Sequence, residues 1–156
     1  MIDDFLLWAP TLFANDILLG LFFFAGTALL IALWVPGFLL PVAASSGALL
    51  DAWSGTVAVT GGALVGSMAI FVTARHFGAE RVPARVALFL QRFEDRFRTQ
   101  GAWFVFVLRL VGAPHFLISA GSALMPIRAS RFAGATLAGM IPAILLAAIA
   151  GSAVAA

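Results

Sequence analysis

Cysteine, lysine and tyrosine are all missing from these 156 residues. Without cysteine there is no disulfide, no thiolate-held zinc or iron–sulfur cluster, and no thiol nucleophile. Two histidines are too few for a histidine-rich metal site, so neither a metal nor a cofactor is expected. No G-x-S-x-G elbow, H-E-x-x-H pair or Walker loop occurs, which argues against an enzyme. Charge is scarce too: 10% of the residues are charged and 63% hydrophobic, against roughly 25% and 45–50% in a soluble domain. A chain this short cannot hide so much apolar surface in a core of its own, so much of that surface must face lipid. The calculated isoelectric point of 11.1 reflects bases that are all arginine. With a net charge of only +2, it does not indicate a nucleic-acid partner.

What is there is a set of long uncharged runs. From Ile17 to Leu50 no charge occurs for 34 residues, more than the roughly 20 needed to cross the hydrocarbon and too few for two crossings and a turn. Pro36, Gly37 and Pro41 interrupt that run where a span starting at Asp16 ends. The reading is a helix over 16–35 followed by a broken segment at 36–53. Residues 52–74 and 132–156 make two uninterrupted apolar stretches. A fourth, 99–127, is split by Arg109, Gly112 and Pro114. The N-terminus carries Asp3 and Asp4 and no base, unlike a secretory signal, so the first helix is expected to remain. Residues 1–15 read as an interfacial segment with Trp8 and Phe13 at the membrane boundary, and 16–152 as one transmembrane domain.

Six of the nine arginines fall between Ala74 and Gly101. Val82, Val86, Phe89, Phe93 and Phe97 recur at helical spacing, with Arg81, Arg85, Arg92 and Arg96 on the adjoining stripe. An amphipathic surface helix over about 80–99 follows, either a connector packed on its own protein or a helix holding anionic headgroups. Arginine-bearing loops stay cytoplasmic. The charges are best placed if 16–35 crosses outward and 36–53 dips in from outside and returns. The chain then crosses back at 55–77, 102–126 dips from inside, and 132–152 leaves. This places the N-terminus and residues 78–100 inside and the C-terminus outside. The fold class is all-α: a polytopic membrane protein with two inverted re-entrant hairpins, each next to a spanning helix. In such arrangements paired Pro/Gly-interrupted segments meet near the midplane to form a substrate site.

The residues also resemble a known family. GGALVGSMAIFVTARHFG is similar to the G-x-x-x-G-D-x-x-x-Y-x-x-G-R-x-x-G signature of the DedA superfamily, also called the VTT-domain or SNARE-associated-Golgi-protein family, with Gly62, Gly66, Arg75 and Gly78 in register. Ser67 stands where many members have Asp, Phe71 where they have Tyr, and Ala74 where they have Gly, a pattern nearer the VTT branch than DedA proper. LWVPGFLLPVAASSGALLDAW resembles the first re-entrant segment. FVFVLRLVGAPHFLISAGSALMPIRASRFAGATLAGMIP resembles the second, with Arg109 at the intramembrane arginine and Phe132, Thr136, Gly139 and Pro142 matching the closing F…T-x-x-G-x-x-P. The resemblance spans about 30–152. It implies facing re-entrant hairpins in a superfamily that includes lipid scramblases and proposed flippases of lipid-linked phosphates, some thought to be proton-coupled. Phe38 and Ser67 occupy the positions where such coupling carboxylates usually stand, leaving Asp51 alone near the first hairpin.

Arg109 is the leading substrate-binding candidate. A charge in an apolar run costs about 2.5–3.5 kcal/mol on insertion scales, so it persists with a partner or a cavity, and a guanidinium suits phosphate. The alternatives are an ion pair with Asp51, a set of helix-end carbonyls, or snorkelling to the interface. His115 is a second candidate, as a phosphate donor, a proton acceptor or a packing residue. Arg75 serves either headgroup contact or topology, and Ser119 is a candidate for bonding freed backbone. Pro36, Gly37, Pro41, Gly112 and Pro114 are expected to build the hairpins, and Gly62, Gly66, Gly78 and Gly139 are the glycines of the resembled motifs. The expected partners are membrane lipids, anionic or phosphate-bearing. The expected setting is a bacterial cytoplasmic membrane, suggested by the alanine- and arginine-rich, lysine-free composition. The functional expectation is lipid movement across the bilayer. The alternative is a non-transporting homeostasis or assembly factor that binds lipid or other membrane proteins.

Overall fold

In the first half of the chain, glycine and alanine recur on α3 opposite α1, and this decides how the helices pack. A computed structural model describes residues 16–77 and 100–155, together with Leu88 and Arg92. Six helices carry these two stretches: α1 (Asp16–Ala32), α2 (Leu39–Leu49), α3 (Ala52–Phe77), α4 (Gln100–Leu110), α5 (His115–Ala123) and α6 (Ala129–Ala155). The segment 1–15, the amphipathic helix expected over 80–99 and Gly78 lie outside the described residues. Two helices, α3 and α6, are long and apolar enough to cross a membrane. Large apolar side chains along the outer faces, among them Phe22, Val57, Val72, Leu146 and Val154, are exposed, as a lipid-facing surface requires.

Helix α1 buries Leu19, Phe23, Thr27 and Ile31, one per turn, against α3. Gly61 and Gly62 lie on Phe24, while Gly66 lies on Ala28 and Ile31. A Cβ at Gly66 would stand 2.6 Å from the Ala28 carbonyl oxygen, which is why glycine is needed there. Because contact points advance together on both helices, α1 and α3 run in the same direction. Helix α2 must therefore carry the chain back to the end where α1 began, and α1 with α2 forms a helical hairpin.

This corrects the boundaries read from sequence. Residues 36–53 hold one short helix, not a helix pair. The other arm of the hairpin is α1, which runs alongside α3 instead of crossing opposite to it. Asp16 and Phe77 consequently lie at opposite ends of the bundle, which overturns the expectation that the start of the first helix shares a face with residues 78–100. The physical reason lies in the Gly62/Gly66 stripe, whose close contacts with Phe24 and Ala28 hold α1 in the parallel register.

Both hairpins turn by the same device. At the end of α1, Val35 N–H donates to Leu30 C=O and Trp34 N–H to Ile31 C=O, with Trp34 at φ 62°. At the end of α4, Ala113 N–H donates to Leu108 C=O and Gly112 N–H to Arg109 C=O, with Gly112 at φ 82°. Each is a Schellman motif closed by a left-handed residue. Pro36 and Gly37 extend the first turn, and Pro114 is the N-cap of α5. Pro41 sits in the first turn of α2, where its missing N–H does no harm.

The second half repeats the first upside down. Helix α5 runs from the turn back toward the Phe77 end, and α6 then starts beside the last part of α3, where Phe132 stacks on Phe71 at 4.4 Å. Helix α6 finishes beside α2, Gly151 against Ala44 and Gly47 against Ala148. The spanning helices α3 and α6 are thus antiparallel, each with a helical hairpin beside it.

Candidate functional site

The two turns face each other across a cavity of about 480 Å³. Trp34 to Leu40 line one side, Arg109 to His115 the other, and Ile31, Met140 and Ala143 complete the wall. Trp34 reaches across the margin and stacks on Phe116 of α5, centroids 4.3 Å apart. Arg109 and His115 are the only charged or titratable side chains in the lining. Of the residues expected to build hairpins, Pro36, Gly37, Gly112 and Pro114 all lie in this wall.

Arg109 occupies the last turn of α4 and is only 5% exposed. Its backbone is seated on α6, because Gly139 brings the helices together: a Cβ there would stand 2.6 Å from Arg109 Cβ and 2.7 Å from the Phe106 carbonyl oxygen. The guanidinium is held from three sides. Nη2 donates to Ser119 Oγ of α5 at 2.8 Å and to Ser67 Oγ of α3 at 3.2 Å. Nη1 bonds with Nδ1 of His115. A guanidinium has no acceptor, so Nδ1 must offer its lone pair and the imidazole is neutral, with its proton on Nε2. Nε has no partner and is buried.

All three partners are neutral. Asp51, the carboxylate considered as an ion-pair partner, instead accepts from the N–H groups of Trp53 at 2.8 Å and Ser54 at 3.0 Å and caps α3. The Ser54 hydroxyl and those two amides hold its carboxyl below the usual range. Arg109 is therefore a buried cation balanced by no carboxylate among the described residues and has an N–H to spare. A phosphate oxygen satisfies both conditions.

The structure brings Arg109, His115 and Ser119 together. Ser119 bonds the arginine side chain, not freed backbone. Arg75 is elsewhere, at the end of α3. Its Nε donates to Ala123 C=O at 3.1 Å and its Nη2 to Met125 and Ile127 C=O at 3.0 and 2.8 Å, with the guanidinium 4.4 Å above the Phe71 ring. The motif glycines Gly62, Gly66 and Gly139 lie where helices approach backbone to backbone. Ser67 was missed as a site residue, although its signal was present: it occupies the acidic position of the resembled signature. Trp34 carried no signal at all, since an aromatic residue at a left-handed position follows from no local preference.

Against known families, the model of the VTT domain matches residues 35–153, a stretch that includes the second turn, Arg109 and its three partners and begins within the first turn. No curated protein and no solved structure matches the chain.

Proposed function

The chain belongs to the VTT-domain family, and from that premise we propose that it moves phosphate-bearing lipids between the leaflets of a bacterial cytoplasmic membrane. The observation that carries this reading is Arg109: a buried cation with no carboxylate beside it among the described residues, at a cavity where two helix breaks meet. Both hairpins are re-entrant in this reading, one from each face, so that their turns meet within the hydrocarbon. Freed backbone is tolerated at that depth only where it lines protein or a cavity. The lipid phosphate pairs with Arg109 while its chains stay among the exposed apolar side chains outside. Movement of this kind makes and breaks no covalent bond and needs neither a catalytic residue nor a cofactor.

Orientation follows from arginine. Arg75, Arg128 and Arg131 lie at the end of the bundle to which residues 78–100 are joined, whereas Asp16 and Asp51 lie at the other. The arginine-rich end is cytoplasmic, and α6 ends outside.

Reconstitution tests the reading. Purified protein in vesicles containing a fluorescent phospholipid should speed its transfer between leaflets. Arg109→Lys should lose most of that rate if the planar fork matters, and Arg109→Leu should lose all of it. A fully active Arg109→Leu protein removes the site assignment. Tight lipid binding with no transfer, in a folded wild-type protein, replaces movement by the role of a lipid-binding assembly factor.

A further inference from the structure

The two hairpins are attached to the spanning helices by different physics. The first is interlocked backbone to backbone. Gly62 meets the Phe24 backbone, Gly66 the Ala28 carbonyl, and Gly47 and Gly151 lock α2 onto α6. Moving such an element means prising apart close-packed main chain, which cores resist. The short returning helix of the second hairpin, α5, is tied to α3 by polar contacts at two levels. Near the middle of α3, Ser67 and Ser119 share Nη2 of Arg109. Two turns further on, Arg75 holds the end of α5 and the turn into α6.

Arg75 holds three carbonyls at once, those of Ala123, Met125 and Ile127. These belong to a helix C-terminus and the turn after it, groups that have no partner within the helix. The guanidinium also rests on Phe71, which stacks on Phe132, so its position is set by both spanning helices. Arg75 is itself exposed, so water competes for its guanidinium, which bonds neutral carbonyls and no carboxylate. Such a contact releases and reforms readily, unlike the glycine interlock.

We infer that α5, the returning helix of the second hairpin, is the moving element of this protein and that Arg75 is its latch, a positioning residue that holds α5 against α3. With the latch closed, Ser119 and His115 stand at Arg109. With it open, α5 swings from α3 and the cavity gains access from the Phe77 end. This inference concerns motion and stands whether or not the cavity takes a lipid.

The absence of native cysteine makes the test direct. Ser122 of α5 and Ser46 of α2 are both fully buried, and Ser122 Oγ makes no hydrogen bond, so single substitutions Ser122→Cys and Ser46→Cys are nearly isosteric probes. Each is placed in the full chain with and without Arg75→Gln, and its reaction with a water-soluble thiol reagent is timed. Loss of bonds from a charged donor should raise the rate at Ser122→Cys by about ten-fold or more, leaving Ser46→Cys unchanged. Arg75→Lys, which has a compact ammonium in place of a fork, should fall between. If Arg75→Gln fails to fold, the Arg75→Lys comparison decides alone. An unchanged rate at Ser122→Cys, or equal increases at both probes, overturns the latch.

Discussion

At the first turn, Trp34 takes the left-handed position and everything around it is apolar: Val35, Pro36 and Phe38. At the second, Gly112 takes that position and the flanking residues are Arg109 and His115. The same two hydrogen bonds close both turns, so the backbone device is common and the chemistry belongs to one half. A left-handed tryptophan is costly, on the order of 1–2 kcal/mol, and persists because its ring stacks on Phe116 across the cavity. The first hairpin thus serves as a wall and the second as a ligand-bearing arm. Duplicated architecture does not imply duplicated function. Both halves use glycine packing, at Gly62 and Gly66 in the first and at Gly139 in the second, but only α5 of the second is also tied to α3 through arginine side chains.

The comparison can be broken most severely at the packing of the first half. Gly66→Leu places side-chain atoms where the Ala28 carbonyl and Ile31 already stand. It should cost about 3 kcal/mol or more and should appear as loss of monodisperse protein after extraction and a lowered midpoint of thermal unfolding. A normally stable Gly66→Leu protein contradicts the parallel register of α1 and α3.

The charge of the second half should behave in the opposite way. Arg109→Leu leaves no orphaned carboxylate, so the penalty for breaking a buried ion pair does not arise. Thermal stability should hold or rise while leaflet-to-leaflet transfer is lost. A drop of several kcal/mol in stability would mean that Arg109 balances a negative charge after all. His115→Gln, which keeps an acceptor for Nη1, should retain more activity than His115→Leu in the same vesicle assay.

Smaller and more discriminating is a pair of changes at the left-handed positions. Gly112→Ala adds a Cβ at φ 82° and should destabilise by about 1–2 kcal/mol. Trp34→Gly relieves strain of that size but forfeits a stack worth roughly 0.5–1.5 kcal/mol, so its effect should be close to zero. Unfolding midpoints of the two variants, measured side by side, decide whether the turns are equivalent in backbone and unequal in side chain.

The smallest effect lies at the mouth of the first hairpin, where Asp51 caps α3. The Ser54 hydroxyl and the Ser54 and Trp53 amides hold its carboxyl below the usual aspartate range. The stability it contributes is complete above that range and is lost as pH falls through the lower folded value. Asp51→Ala should lower stability by up to about 1 kcal/mol at neutral pH and flatten the acid limb of the stability curve below about pH 4. An unchanged acid limb would dismiss the cap.

Composition alone determined that this is a membrane protein without thiol or cysteine-metal chemistry, because 63% hydrophobic residues with no cysteine leave no other surface or ligand set. The breaks at Pro36–Gly37 and Gly112–Pro114, and Arg109, the one buried charge among the described residues, were equally legible. Proline, positive-φ glycine and an intramembrane cation each have a local energetic cost that marks them in any context. Direction was not legible. Whether α1 runs with or against α3 depends on which face of one helix admits the backbone of another, a long-range steric fit between Gly62, Gly66 and the Phe24–Ala28 main chain. Sequence ranked Arg109 above Arg75 but did not give the partners of either. Arg75 and Arg109 both follow apolar helices, and only the tertiary structure placed one over three carbonyls and the other among Ser67, Ser119 and His115. A guanidinium's role is set by the acceptors that the fold brings to it, and those acceptors lie six to 52 residues away along the chain.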